Sequence, residues 1–203
     1  MTFLGHRIIT FAGMPGSGKS CAAKAFAAQL SASGQQASWI DLDAEVERRS
    51  GKSIARIFAE DGERVFRSLE KATLQDILKG DFSAPATPPV EMTEKTTVEP
   101  SSCHVEPSSC HVERSRDISI LALGGGTLQV PENLELVKKY SYCIWLDTPL
   151  ETIADRLWAS GDIGQRPLLA SAKTKNELLA LLQNLYSTRK SAYQAAAKMV
   201  ISG

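Results

Sequence analysis

The 203-residue sequence has few aromatic residues and no excess of charge of either sign. Aromatic side chains make up 6% of it, and 23 basic residues balance 23 acidic ones. This balance argues against nucleic acid or an acidic membrane surface as a partner. The sequence also lacks a run of about 18 apolar residues that would span a bilayer, and no apolar signal segment precedes the first predicted strand. We therefore expect a cytoplasmic protein that binds neither nucleic acid nor membrane.

Cysteine is scarce as well, with four residues at positions 21, 103, 110 and 143. A disulfide framework is not expected from so few, which agrees with a reducing compartment. Cys21 and Cys143 fall in a predicted helix and a predicted strand, where a free cysteine behaves as a small apolar residue. Because 43% of the residues are hydrophobic, the chain is long and apolar enough for one globular domain over residues 1–203.

The most informative stretch is Gly13-Met14-Pro15-Gly16-Ser17-Gly18-Lys19-Ser20. It follows an apolar run and opens a helix-favouring run that begins at Cys21, which is the context in which GxxxxGK[ST] indicates a phosphate-binding P-loop. Backbone N–H groups at such a helix start converge on an anion. The alternative is a glycine-rich turn with a helix cap. On the P-loop interpretation, the residues that hold the nucleotide are Gly13, Gly16, Ser17, Gly18, Lys19, Ser20 and Cys21, with Lys19 on the β- and γ-phosphates and the Ser20 hydroxyl on Mg²⁺.

Strand and helix patterns alternate along the chain, which predicts an α/β fold with a parallel sheet. Strands are expected at 7–12, 37–42, 119–123, 142–146 and 199–201. Helices are expected at 19–33, 44–49, from Ser53, 63–78, 131–140, from a Thr148 cap to about 157, and 174–196, with a loop at 158–165. Ligands bind at the carboxyl ends of such strands. Strand alternation would place Asp41 and Asp43 on one face there.

Residues 80–117 have a different composition. They are rich in Pro, Ser, Thr and Glu, and a seven-residue unit occurs twice, at 98–104 and 105–111. A disordered insert is expected, because the segment has little to bury. The pairs Cys103-His104 and Cys110-His111 offer Zn²⁺ ligands in principle, although the repeat accounts for both pairs without a metal site.

Four further motifs follow the P-loop in order: Asp41-Leu42-Asp43, Gly62-Glu63 through Phe66-Arg67, Gly124-Gly125-Gly126, and Arg166-Pro167-Leu168-Leu169. The ordered set closely resembles the shikimate kinase family over residues 7–79 and 118–201. The resemblance implies a P-loop fold like that of the nucleoside-monophosphate kinases, a three-layer sandwich with a five-stranded parallel sheet in the order 2-3-1-4-5. It also implies an ATP-dependent transfer to the 3-hydroxyl of shikimate, with Mg²⁺ as cofactor and a monomeric enzyme.

Residue roles follow from the same resemblance. Asp43 would hold the substrate hydroxyls near the transferred proton, and Asp41 would act on the Mg²⁺ side, through water. Arg67 and Arg189 would bind the shikimate carboxylate, and Gly124, Gly125 and Gly126 would approach the ring. Arg166 would face the phosphates from a lid at residues 158–173. Lys19, Asp43 and Arg166 would be the catalytic residues.

The sequence departs from the family pattern in two places. The insert replaces a short connection, and the loop and helix that usually follow the fifth strand are not present. Two other functions therefore stay open: another small-molecule P-loop kinase, such as a gluconate kinase, and a nucleotide-binding protein with impaired catalysis.

Overall fold

The computed structural model describes residues 7–80, 118–166 and 168–203. The strands are β1 (Ile8–Gly13), β2 (Ala37–Asp41), β3 (Ile118–Ala122), β4 (Tyr142–Asp147) and β5 (Met199–Ser202). The helices are α1 (Lys19–Ala32), α2 (Leu42–Ser50), α3 (Ile54–Glu60), α4 (Glu63–Lys79), α5 (Pro131–Tyr140), α6 (Leu150–Ser160) and α7 (Lys175–Ala196). Short 3₁₀ helices cover Thr127–Gln129 and Asp162–Gln165. Pro167 and the expected insert with its Cys-His pairs lie outside the described residues, except for Gly80, which ends α4.

The five strands form one parallel sheet in the order β2-β3-β1-β4-β5, which confirms the predicted fold and strand order. Phe11 at the centre of the sheet pairs with Ala122 on one side and Ile144 on the other. Because all strands run the same way, the P-loop after β1, Asp41 after β2 and the glycine loop after β3 emerge at one edge. This edge carries the site.

Both faces of the sheet are covered, which explains the nearly continuous apolar character of the central strands. Alternate residues point to opposite faces, so Ile9 and Phe11 pack with Ala23 and Ala27 of α1. On the other face, Leu121 and Trp145 belong to a larger cluster that includes residues of α4 through α7. The edge strand β5 is less protected, and Val200 is 49% exposed.

The start of α2 differs from the expectation. β2 ends at Asp41 and the helix begins at Leu42, so Asp43 lies in the first helical turn and strand alternation does not bring the two aspartates together. Instead, Asp41 is the N-cap of α2 and its side chain accepts from the Asp43 and Ala44 N–H groups. Leu42 is fully buried, and its burial fixes which way this turn faces.

Two smaller expectations were wrong. Thr148 does not cap α6, because Pro149 takes that position and the Thr148 hydroxyl instead donates to the Ser17 carbonyl, at 3.3 Å. Residues 158–160 belong to α6 rather than to a loop, and the helix stops at Gly161, whose φ is 72°. Cys21 and Cys143 lie in a helix and a strand as expected, and Cys143 is buried whereas Cys21 is exposed. Within the described ranges, no helix is both long and apolar enough to cross a membrane.

Candidate active site

The P-loop connects β1 to α1 through glycines in backbone conformations that other residues rarely adopt. Gly13, Gly16 and Gly18 have φ values of 146°, 81° and 93°. A Cβ at Gly13 would lie 2.7 Å from the Leu146 carbonyl oxygen. Gly18, in the left-handed region, is the N-cap of α1. The loop thus needs glycine both for its angles and for its contact with the end of β4.

Lys19 folds back into this loop. Its ammonium Nζ donates to the Met14 carbonyl at 2.9 Å, and the residue is only 9% exposed. Burial lowers the pKa of Lys19 to about 8, and the negative charges of Asp43 and Asp41 oppose that shift. The amine therefore lies where a phosphate would be cradled, near two carboxylates.

Ser20 and Asp41 meet beside the P-loop, where the Ser20 hydroxyl donates to Asp41 Oδ2. The other oxygen, Oδ1, accepts from the backbone N–H groups of Asp43 and Ala44, at 3.0 and 3.4 Å. The described part of the chain contains no cluster of three or more His, Cys, Asp or Glu side chains that would hold a metal alone. Mg²⁺ commonly uses one or two protein oxygens together with water and substrate phosphates, so the Ser20–Asp41 pair suits it.

Asp43 extends from the first turn of α2 towards the glycine loop, where a Cβ at Gly124 would lie 2.7 Å from its Oδ1. Burial, reinforced by the negative charges of Asp41 and Glu70, raises the pKa of Asp43 to about 6. Lys19 and Arg166 oppose the shift. Such a carboxyl group can accept a proton close to neutral pH.

Arg67 lies on α4 between two glutamates. Its Nη1 donates to Glu70 Oε2 at 2.8 Å, while Nε and Nη2 approach Glu63 Oε1 at 3.3 and 3.2 Å. The guanidinium carbon also lies 5.1 Å from the centre of the Phe66 ring. The Glu63 side chain is 59% exposed, whereas that of Glu70 is 1% exposed. One edge of Arg67 is therefore held from the interior, and the other by a solvated partner.

Sequence reasoning missed Glu70 as a site residue, because it grouped this glutamate with the polar side chains of α4. The structure buries it, with Thr127 Oγ1 donating to its Oε1 at 2.6 Å and Arg67 to its Oε2. A weak signal was available, because Phe66, Glu70, Thr73 and Ile77 recur at helical spacing on one face, and all four are buried.

The three glycines after β3 allow three separate contacts. A Cβ at Gly125 would lie 2.8 Å from Pro15 Cδ, and one at Gly126 would lie 2.9 Å from Arg67 Nη2, in addition to the Gly124 contact with Asp43. None of the three has a positive φ, so close approach rather than backbone angle requires glycine here. The loop consequently touches the P-loop, α2 and α4 at once.

α7 closes the site from another side. The Tyr193 hydroxyl donates to the Gly125 carbonyl at 2.6 Å, and burial raises the pKa of Tyr193 to about 12. Arg189, one turn earlier, is 5% exposed. Arg166, before Leu168, has a buried Nε with no hydrogen-bond partner among the described residues. Both guanidinium groups are thus placed to meet an anion.

A cavity of about 690 Å³ joins most of these groups. Its lining includes the predicted residues Asp43, Arg67, Gly124, Gly125, Gly126, Arg166 and Arg189. It also includes Glu70, Pro15, Phe58 and Phe66, with Gly164 and Leu168 from the expected lid. Lys19, Ser20 and Asp41 do not line it and lie at the P-loop. Cys21 follows in the first turn of α1. The arrangement therefore has an anion-binding loop, a carboxylate near it, and three arginines around one cavity.

Sequence reasoning also missed a cation that lies beside the P-loop. Arg156 of α6 has its Nη1 3.8 Å from the point where a Cβ at Gly18 would lie. Nothing in the local sequence marks this arginine, because only the packing of α6, through Ile153 and Leu157, against Gly16 brings it to the loop.

A model of the shikimate kinase family matches residues 15–86 and 110–203. The shikimate kinase of Chlorobium chlorochromatii is 32% identical over 193 residues, which are 93% of this chain and 78% of that protein. The shikimate kinase of Persephonella marina is 31% identical over 190 residues, covering 94% and 85%. Among solved structures, shikimate kinase from Acinetobacter baumannii in complex with shikimate superposes with a TM-score of 0.69 at 24% identity, covering 99% and 86% of the two chains.

Proposed function

Because the chain belongs to the shikimate kinase family, we propose that it transfers the γ-phosphoryl group of ATP to the 3-hydroxyl of shikimate. The product is shikimate 3-phosphate, an intermediate of aromatic amino-acid synthesis. The observation that carries the proposal is that Arg67, Arg189 and Asp43 line the same cavity, with the P-loop beside it. A small acid with several hydroxyl groups needs arginines for its carboxylate and an aspartate for its hydroxyl groups in the same cavity.

Substrate recognition relies on charge-assisted hydrogen bonds. The planar guanidinium groups of Arg67 and Arg189 match a carboxylate in a way that an ammonium group does not. The absence of side chains at Gly124, Gly125 and Gly126 lets the ring approach the backbone and lets Asp43 reach its hydroxyl groups. The apolar walls at Phe58 and Phe66 suit the ring carbons.

Phosphoryl transfer mainly requires alignment and neutralisation of charge. Asp43 orients the attacking hydroxyl and accepts its proton, for which a pKa near 6 is suitable. Lys19 and Arg166 stabilise the negative charge that develops on the transferred group and on the leaving ADP. The backbone N–H groups of the P-loop, from Gly13 to Cys21, hold the other phosphates.

Mg²⁺ belongs at Ser20 and Asp41, whose hydroxyl and carboxylate oxygens form the adjacent pair. It would neutralise charge on the β- and γ-phosphate oxygens. Asp41 Oδ1 is engaged as a helix cap, whereas Oδ2 accepts only from the side chain of Ser20 among the described residues, so Oδ2 and the Ser20 oxygen are the atoms that would hold the metal or its water. We also propose that residues 158–173 close over ATP, since Gly164, Arg166 and Leu168 reach the cavity wall. A single domain over 1–203, a monomeric state and a cytoplasmic location stay predictions.

A coupled ADP-release assay tests the proposal. The chain with ATP and Mg²⁺ should release ADP rapidly when shikimate is added, and omission of Mg²⁺ should abolish the release. Gluconate is the control acceptor, because its flexible chain does not present a rigid array of hydroxyl groups and carboxylate. Equal turnover with gluconate would contradict the proposal that shikimate is the specific substrate. ATP binding without ADP release would indicate impaired catalysis instead.

A further inference from the structure

We infer that Thr127 is a positioning residue for substrate binding, because its hydroxyl orients the Glu70 carboxylate and thereby the Arg67 guanidinium. The inference rests on the proposed function, in which Arg67 binds the substrate carboxylate. Thr127 does not line the cavity, so it acts only through these neighbours.

The hydrogen bonds assign one oxygen of Glu70 to each partner. Thr127 Oγ1 donates to Oε1 at 2.6 Å, and Arg67 Nη1 donates to Oε2 at 2.8 Å. Glu70 and Thr127 are 1% and 0% exposed, so water does not readily replace either donor. Without the hydroxyl, Oε1 would be a buried acceptor that has lost its partner, which is costly. The carboxylate would then turn towards another donor and rotate the guanidinium with it.

The backbone N–H and carbonyl groups of Thr127 are both hydrogen-bonded. Its N–H donates to the Gly124 carbonyl at 3.2 Å, and its carbonyl accepts from Asn133 Nδ2 at 3.1 Å. Asn133 is completely buried on α5. The hydroxyl therefore extends from a fixed turn directly after the glycine loop, and any shift of this turn reaches Glu70.

The orientation of the Arg67 guanidinium matters because one of its edges remains for the substrate carboxylate. Glu70 occupies Nη1, while Nε and Nη2 bond to Glu63 alone in the part of the chain that the structure describes, at 3.2–3.3 Å. A carboxylate that replaces Glu63 there can make two parallel hydrogen bonds only if the guanidinium plane is correctly turned. Thr127 thus controls the geometry of the bidentate contact without touching the substrate.

Three variants test this by steady-state kinetics and thermal unfolding. Thr127→Val removes the hydroxyl at nearly constant volume and should raise the KM for shikimate by about tenfold, with the KM for ATP within about twofold of wild type. Thr127→Ser keeps the hydroxyl and should restore the KM for shikimate. Thr73→Val is the matched control, because Thr73 lies on the same helix as Glu70, is fully buried, and has a hydroxyl with no partner among the described residues. It should leave both KM values unchanged.

The inference is overturned if Thr127→Val raises the KM for shikimate no more than Thr73→Val, or if both substrates are affected equally. It is also overturned if Thr127→Ser behaves like Thr127→Val. Thr127→Ala serves in place of a Val variant that does not fold, with the same expected KM values. A wild-type chain that gives no shikimate-dependent ADP release would instead overturn the proposed function, so the two failures are distinguishable.

Discussion

The two halves of the site are built in different ways. The proposed phosphate side is a contiguous loop, in which Gly13, Gly16 and Gly18 take positive φ values and the proposed ligand groups are backbone N–H groups and Lys19. The carboxylate side is assembled from α4, the glycine loop and α7, where Arg67, Gly126 and Arg189 are far apart in sequence. The first half depends on local backbone angles, and the second on side-chain orientation set by long-range contacts.

The comparison predicts different kinetic effects. In the proposed mechanism, groups on the phosphate side act on charge that develops during transfer, so their loss should lower kcat. Groups on the carboxylate side hold a charge that does not change, so their loss should raise KM.

Lys19→Ala should have the largest effect. Removing a cation from the phosphate side should lower kcat by at least about 10²-fold, with little change in melting temperature because, among the described residues, the Lys19 ammonium bonds only to the Met14 carbonyl. Stopped assays at saturating ATP and shikimate would measure this. The exposed Lys24 on the same helix supplies the control Lys24→Ala, and near-normal turnover of the Lys19 variant would contradict the phosphate role.

Asp43→Asn comes next, because it keeps the shape of the side chain and removes the proton acceptor. We expect kcat to fall by about 10²-fold, at the lower end of the range for general-base catalysis, since a loose transition state needs less help from a base. The KM for shikimate should change less. A variant with unchanged kcat and a raised KM would make Asp43 a binding residue only.

Arg67→Ala should act on the other half of the site. Loss of one charge-assisted contact with the carboxylate should raise the KM for shikimate by about 10- to 100-fold, with a smaller change in kcat. Initial rates over a range of shikimate concentrations at fixed ATP would show this. Arg64→Ala, at an exposed position on the same helix, is the control. A fall confined to kcat would remove the distinction between the two halves.

The pH dependence of kcat/KM should reflect the titration of both the Asp43 carboxylate and the Lys19 ammonium group. Asp43 has its pKa raised to about 6, so kcat/KM should fall as the pH drops through 6 and the base becomes protonated. Lys19 has its pKa lowered to about 8, so kcat/KM should also fall as the pH rises through 8 and the cation loses its charge. The profile should change by about tenfold per pH unit on each side. A flat profile from pH 5 to 9 would contradict both assignments.

Glu63→Gln should have the smallest effect and the opposite sign. Glu63 holds the Nε and Nη2 edge of Arg67 through a largely exposed contact, and such pairs are weak. Weakening this competitor should lower the KM for shikimate by about two- to fivefold, which calorimetric titration with shikimate would detect as tighter binding. An increase in KM would mean that Glu63 supports the bound state.

The sequence predicted the parts of this molecule that are local. The strand order and the P-loop follow from contiguous patterns, and Ser53 caps α3 as expected. Thr148 did not cap α6, because Pro149 takes the N-cap position. Asp41 and Asp43 were placed at the correct edge for an incorrect reason, since a helix cap rather than strand alternation positions them. Glu70 and Thr127 escaped notice because each is satisfied by a partner 57 residues away, and no local pattern encodes such a pair.

The contact between Gly125 and Pro15 has a consequence for how this site evolves. A side chain at position 125 would come within 2.8 Å of the proline ring, so a larger residue there requires Pro15 to shift or to be replaced. Substitutions at these two positions should therefore appear together among descendants of this chain. The P-loop and the glycine loop after β3 are then constrained to change together at this contact.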